Sequence, residues 1–162
     1  MKVVVVGCLH GSLTQLYDSI PADTELVLCC GDFQALRNEY DLSTLSCPAK
    51  HRQIGSFVGY YDGRRTAPCL TIVVGGNHEA SSYFLELAHG GWLAPNIYYL
   101  GVAGSVRVNG LRISGMSGIY SEADYLRPRY ERAPLDASSM RSVYHYRQYD
   151  AARLALVSRT SP

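Results

Sequence analysis

Residues 3–11 read VVVVGCLHG, and this stretch decides what kind of fold the chain can adopt. Four valines in a row, Val3 to Val6, fit a strand buried on both faces. Such continuous apolar runs belong to parallel sheets covered by helices, whereas half-exposed strands alternate. Gly7 then breaks the run, and Cys8 and His10 follow at once. A core strand thus delivers a thiol and an imidazole together at its carboxyl end.

Two more segments repeat the arrangement. Leu26 to Cys30 is a short apolar strand stopped by Gly31-Asp32, and Leu70 to Val74 is another, stopped by Gly75-Gly76. The first strand is expected over Lys2 to Gly7. Helical spacing separates the strands: Leu13, Leu16, Tyr17 and Ile20 recur after Ser12, an expected N-cap, and Pro21 ends the run. Residues 33–62 read as helical in parts, with loops around Cys47-Pro48 and Asp62-Gly63. Glu79 to Ala88 reads as a helix closed by Gly90-Gly91. The order strand, helix, strand, helix, strand, helix predicts an α/β fold with a largely parallel sheet. Farther on, Ile97 to Leu100 reads as a short strand and Ser105 to Ile113 as a hairpin turning at Asn109-Gly110. Residues 115–138 read as a long loop, and Met140 to about Val157 as one helix capped by Ser138 or Ser139.

Composition narrows the class. The apolar fraction of 47% is ample for one core in 162 residues, and there is no repeat, low-complexity segment or clear linker. The opening apolar run is too short for a signal peptide, and nothing approaches the roughly 20 apolar residues of a membrane helix. The five cysteines are an odd number, and Cys29 and Cys30 sit side by side in an apolar run, as buried reduced thiols would. This predicts a reducing compartment, cytosol or nucleus. Residues 1–126 carry 8 basic and 11 acidic residues, whereas residues 127–162 carry 7 arginines and 3 acids. A basic tail of this kind serves either a polyanionic partner or a solvated helix face.

In a parallel sheet, ligands bind beyond the carboxyl ends of the strands. Here those ends supply Cys8 and His10, then Asp32, then Asn77 and His78. Singly, each has an ordinary explanation: a small core cysteine, a loop histidine, a helix cap, a turn asparagine. Together they form a donor set for divalent cations. A carboxylate such as Asp32 can bridge two ions, and two ions ~3.5–4 Å apart can activate water and clamp a phosphoryl group. His78 is then free to donate a proton to a leaving alkoxide.

The segments GDF (31–33) and GGNHE (75–79) resemble the calcineurin-like metallophosphoesterases. Two positions depart from that pattern: Cys8 stands where the usual Asp-x-His motif has aspartate, and Ala35 stands where a second aspartate follows Gly-Asp. GCLHG (7–11), LCCGDFQALRNE (28–39), GGNHEAS (75–81), GGWLAPNIYYLG (90–101), RISGMSGIY (112–120) and RSVYHYR (141–147) resemble the RNA lariat debranching family within that superfamily. The resemblance implies a β-sheet sandwich flanked by helices. It further implies hydrolysis of the 2′–5′ phosphodiester at the branch point of excised intron lariats, in the nucleus, with the cytoplasm also open. By the same resemblance Cys8, His10 and Asp32 hold one ion, Asp32 and Asn77 hold a second, and His78 is the catalytic histidine. Glu79 supports the motif or caps a helix. A thiolate at position 8 favours Fe²⁺ or Zn²⁺, with Mn²⁺ still open through the harder ligands, unless Cys8 only lines the pocket.

Tyrosines interleave with arginines between Tyr120 and Tyr149, a composition suited to phosphates and unpaired bases. The resemblance implies a lariat-recognition segment at about 117–149, with Tyr125, Arg141, Tyr144 and Arg147 as RNA-binding candidates. Tyr144 could equally pack on the sheet. The family's later Ser-His-Asp-Trp-Pro and Gly-His-x-His segments do not occur, and His51, His89 and His145 match neither. The expectation is therefore an N-terminal part of one domain over 1–162, incomplete at its C-terminus. Such a piece would be inactive alone or would act as a branched-RNA-binding module; a different calcineurin-like phosphodiesterase is the remaining alternative.

Overall fold

In the computed structural model, which describes residues 1–159, the valines do form a strand. β1 (Val3–Val6) leads to α1 (Leu13–Ser19), β2 (Leu26–Cys30), α2 (Glu39–Ser43), a 3-10 turn (Ala49–His51), α3 (Phe57–Tyr61) and β3 (Leu70–Val74). Then come α4 (Ser81–Glu86), β4 (Gly91–Ala94), β5 (Ile97–Tyr99), β6 (Ala103–Val108), β7 (Leu111–Met116), α5 (Glu122–Tyr125), α6 (Ala137–Val143) and α7 (Gln148–Arg159). The chain end at Thr160 to Pro162 lies outside the described residues.

The main sheet runs β1-β2-β3-β5-β4, with β1, β2, β3 and β5 parallel and β4 antiparallel at one edge. Val6 pairs with Cys29, and Cys30 with Val74, so the first three strands finish almost level. That register brings Gly7, Gly31 and Gly75 to one rim.

Both faces of the sheet are used. Val4, Val6, Val27, Cys29 and Val73 face Leu13, Leu16, Phe57, Tyr60 and Phe84 from the helices. Leu26, Ile72 and Leu100 pack on the other side, with Val106 and Ile113 of the β6–β7 hairpin against them. The hairpin turns at Asn109 and Gly110, both at positive φ, as the sequence predicts. It does not cover β1, where Val5 is 63% exposed. Cys30 points the same way and is also exposed, so of the adjacent pair only Cys29 is buried as expected. All five thiols are unpaired. Among the described residues no helix is long and apolar enough to cross a membrane.

Several boundaries move from the sequence reading. Ser12 holds the N-cap position of α1 but makes no side-chain bond there. The Thr14 N–H is instead satisfied by Ser56 Oγ at 3.0 Å, from a distant loop. β4 is a strand where the sequence suggested only a helix stop, because glycine and alanine carry little strand signal. The segment 115–138 is not all loop: β7 extends to Met116 and a short α5 follows.

The single helix expected over Met140–Val157 is two helices. The α6 cap is Asp136, which accepts from the N–H groups of Ser138 and Ser139, with Ser139 closing a reciprocal capping box. The break comes at residues 144–147, where the backbone pairs with Ile119 instead: the Ile119 N–H donates to Tyr144 O and the Tyr146 N–H to Ile119 O. Arg147 Nη1 donates to His145 O at 2.6 Å, and Arg129 Nη1 to Val143 O at 3.2 Å, so guanidiniums satisfy the carbonyls that the broken helix frees.

Candidate metal centre

The first two strands leave the sheet through abrupt turns. Cys8, His10, Asp32 and Gln34 all have positive φ, between 46° and 60°. Side chains rarely adopt this region, and its cost of order 1–3 kcal/mol per residue is borne where the surroundings over-determine the backbone. The surroundings here are other backbones. The Cys8 N–H donates to Gly31 O at 3.0 Å, and the His10 N–H to Asp32 O at 2.8 Å. The Asp32 turn is further anchored by its own apolar residues, since Phe33, Ala35 and Leu36 are each at most 1% exposed. One buried phenylalanine is worth roughly 1.5–3 kcal/mol. Asp32 is therefore not the helix cap that its position after glycine allows; it projects from a turn nailed into the core.

Glu79 fastens the third loop to the second. Its carboxylate is 1% exposed and accepts from the N–H groups of Phe33 at 2.8 Å, Gln34 at 2.8 Å and Gly76 at 3.0 Å. Burial pushes this carboxyl up to about 8, while the three N–H donors pull the other way. The helix-capping role open to Glu79 is not the one it plays, because α4 begins after Ala80 and has no side-chain cap.

Ligand atoms of Cys8, His10 and Asp32 lie within 4.8 Å of one another. An ion with bonds of about 2.0–2.3 Å holds its ligands at most about 4.6 Å apart. The three side chains fit one divalent cation with shifts of a few tenths of an ångström. Cys8 is exposed. Cys29 is its opposite: burial pushes that thiol up to about 12, which keeps it protonated and inert.

Asp32 Oδ1 accepts from the His78 N–H at 3.0 Å, leaving Oδ2 between two imidazoles, 3.7 Å from His10 Nε2 and 3.4 Å from His78 Nδ1. The two rings stand 5.4 Å apart. Asn77 is half-buried and lies between Gly76 and His78, both of which press on Asp32. Sequence reading missed Gln34. Its amide nitrogen lies 3.2 Å from His10 Nδ1. Turning that amide over would let Nδ1–H donate to the amide oxygen and free Nε2, which faces Asp32, for an ion. Its one sequence signal was its place two residues after Asp32.

The RNA-binding candidates divide. Arg141 is exposed. Tyr125 is half-buried and joins Tyr120 and Tyr146 in a cluster with ring centroids 5.3, 6.2 and 6.1 Å apart; Tyr120 is 56% exposed. Neither Tyr120 nor Tyr146 was among the candidates. Tyr144 is half-buried, its ring edge-on to His145 at 5.0 Å, and it lines a small cavity beside Gly75 and Gly76. Arg147 is a correction: it is 2% exposed and paired with buried Glu131, and its guanidinium also bonds Ser142 Oγ at 2.9 Å. It holds the α6–α7 joint and faces no solvent. The segment reaches the metal loops directly, because the Gly118 N–H donates to Gly75 O at 2.8 Å and Ser81 Oγ to Met140 O at 2.8 Å.

The sequence model of the calcineurin-like phosphoesterase family matches residues 1–154. The chain is 52% identical over 165 residues to the lariat debranching enzyme of Drosophila melanogaster, across 98% of this chain and 31% of that protein. It is 47% identical over 161 residues to the lariat debranching enzyme of Homo sapiens (95% and 30%) and 49% identical to that of Arabidopsis thaliana (95% and 38%). It thus spans about a third of the length of these curated relatives. With a parallel sheet whose strand ends gather a thiol, an imidazole and a carboxylate, the chain belongs to the calcineurin-like phosphoesterase family.

Proposed function

We propose that this chain carries the metal-binding part of a phosphodiesterase that hydrolyses the 2′–5′ bond at the branch point of lariat intron RNA. The observation that carries the reading is the convergence of Cys8, His10 and Asp32, with His78 against Asp32, in a chain about half identical to proteins named lariat debranching enzymes.

In this reading Cys8, His10 and Asp32 hold one ion, and Asp32 and Asn77 contribute to a second. The Cys8 thiolate favours Fe²⁺ or Zn²⁺ over Mg²⁺, with Mn²⁺ also admitted. When bound, such cations lower the pKa of the attacking water and neutralise phosphoryl charge. Water adds to phosphorus, the bond from phosphorus to the 2′ oxygen breaks, and that oxygen takes a proton. His78, 33% exposed and beside Asp32, is the proton donor. Gln34 orients His10, and Glu79 locks the Asp32 and Asn77 loops together. Tyr120, Tyr125 and Tyr146 offer ring faces to unpaired bases around the branch, and Arg141 meets phosphate. The five unpaired thiols support a reducing setting such as the nucleus.

A second reading, branched-RNA binding without turnover, has one observation in its favour: among the described residues Cys8, His10 and Asp32 form the one cluster of three histidine, cysteine or carboxylate groups placed to hold an ion. Turnover separates the two. The chain spans about a third of its relatives' length, so these 162 residues alone should not turn over. A protein of the relatives' full length carrying this segment should debranch a 2′–5′ branched oligonucleotide with Mn²⁺ or Zn²⁺, and His78→Ala in it should slow this at least 100-fold. Binding of the branched oligonucleotide with no cleavage favours the second reading, and undiminished cleavage by His78→Ala removes His78 from the chemistry. Equal cleavage of linear 3′–5′ RNA points to a general phosphodiesterase.

A further inference from the structure

A cleft of about 720 Å³ opens beside the metal loops. His10, Gln34 and His78 line it, together with much of the segment 47–56, including Lys50, His51 and Gln53. None of the residues lining it is acidic. That is unusual in this part of the chain, where acids outnumber bases 11 to 8 over residues 1–126. No residue of 117–149 lines it, so it is separate from the tyrosine segment.

The segment 47–56 is held in place at both ends. The Ser56 N–H and Oγ both donate to Gly11 O, at 2.9 and 3.0 Å. The backbones of Gly55 and Gly11 approach so closely that a Cβ on Gly55 would lie 2.5 Å from Gly11 O. At the other end Leu45 bridges to Ala80, two residues after His78. The segment therefore spans from the His10 loop to the His78 loop. Between these anchors Lys50 and His51 are exposed and line the same cleft as His10 and His78. Arg52 is turned back to its own loop, its Nε donating to Cys47 O at 3.2 Å.

We propose that this cleft is a second nucleic-acid subsite. It takes the phosphate backbone of one RNA strand leaving the reacting centre, with Lys50 as the cation for a phosphate other than the one cleaved. The volume exceeds the needs of a lone phosphate, and the Gln15, Gln34 and Gln53 amides can serve the ribose hydroxyls and phosphate oxygens of the same strand. Lysine suits the role as a mobile point charge that reads charge without demanding a fixed geometry. The proposal rests on the reading that RNA is the substrate.

Neutralising one phosphate on single-stranded RNA contributes about 0.7 to the slope of log affinity against log salt. Fluorescence anisotropy with the intact 162-residue chain, a fluorescein-labelled single-stranded RNA decamer and its branched counterpart, between ~50 and ~200 mM salt, reads that slope. Lys50→Ala is expected to weaken binding of both RNAs 5- to 10-fold and to flatten the slope by about 0.7, while Lys50→Arg keeps both near wild type. Lys2→Ala removes the chain's other lysine, at the opposite end of β1, and should change neither. Wild-type affinity and slope in Lys50→Ala would overturn the subsite. If the branched and linear RNAs bind alike, recognition of the branch by this chain fails, yet the Lys50 effect on the linear strand still decides the subsite. Absence of any RNA binding by the wild-type chain overturns both.

Discussion

Replacing Gly76 with alanine probes the joint between the Asp32 turn and the Asn77 loop more directly than changing any ligand. A Cβ at residue 76 would lie 2.1 Å from Asp32 Oδ1, 2.6 Å from the Asp32 backbone nitrogen and 2.9 Å from Asp32 Cγ. Side-chain rotation cannot relieve the contact with the backbone nitrogen, so the two loops must separate. Restoring ordinary contact, from 2.1 to 3.4 Å, moves Asp32 Oδ1 by about 1.3 Å relative to residue 76. The 3.0 Å bond from the His78 N–H to that oxygen does not survive such a shift. Its loss costs about 1.5–3 kcal/mol as a bond to a charged acceptor, and the overpacking costs about 1–3 kcal/mol more. A total near 4 kcal/mol lowers the melting temperature by roughly 8–16 °C in a domain of this size. Zn²⁺ affinity, measured by titration calorimetry below the melting range, should fall about 10- to 100-fold because Asp32 no longer faces His10 and Cys8. Gly63→Ala is the control: φ there is +79° with no atom within 4 Å of the added carbon, so only strain of about 1–2 kcal/mol applies and Zn²⁺ binding stays unchanged. A Gly76→Ala protein that binds Zn²⁺ like the wild type, whatever its melting temperature, would refute the coupling of these loops to the metal centre.

Three further outcomes are expected. Gln34→Ala should lower Zn²⁺ affinity about 10-fold by releasing the His10 ring, and unchanged affinity would strip Gln34 of its positioning role. Arg147→Ala leaves buried Glu131 unpaired and should cost about 3–5 kcal/mol in denaturant unfolding. Exposed Arg141→Ala should stay within about 0.5 kcal/mol of wild type and act on RNA affinity alone; equal stabilities would contradict the buried joint. Asp41 supplies the pH test. Burial alone would raise its carboxyl, but bonds from Arg37 and from Ser82 hold it below the usual carboxylate range. Its folded pKa lies below the unfolded value of about 3.9, so its contribution is complete above that pH and is lost as pH falls through the folded value. Asp41→Asn should therefore flatten the acid side of a melting-temperature profile, and identical acid limbs in the two proteins would show that Asp41 contributes nothing there.

The core of this fold was legible because the largely buried β2 and β3 write continuous apolar runs, whereas β1, read as buried on both faces, leaves Val5 exposed. The ends of β2 and β3 stood as read, and β1 differed by one residue at each end. The strand-end donors were legible because glycine marks where each run stops. Gln34 was not, since its role depends on a left-handed turn that brings its amide to His10 from 24 residues away. The α6–α7 break was hidden for a similar reason. Local spacing favoured one helix, but Ile119 competes for the backbone at Tyr144 and Tyr146, and no local pattern encodes a partner so distant. Arg147 looked like a solvent-facing cation among tyrosines because its partner, Glu131, lies 16 residues upstream.

The contacts that hold Cys8 and His10 in place run from main chain to main chain: Cys8 to Gly31, His10 to Asp32, Ser56 to Gly11. Peptide groups are the same in every residue, so where a donor atom sits is governed separately from which element it is. At φ 56°, position 8 also suits aspartate, one of the few side chains that tolerate that conformation. One codon can therefore exchange sulfur for oxygen there while the surrounding loops keep their shape, which under the proposed role of Cys8 shifts the preferred cation from soft to hard. On that proposal, a lineage facing a scarce metal or an oxidising cell has a short route to a different one, with no new fold to invent on the way.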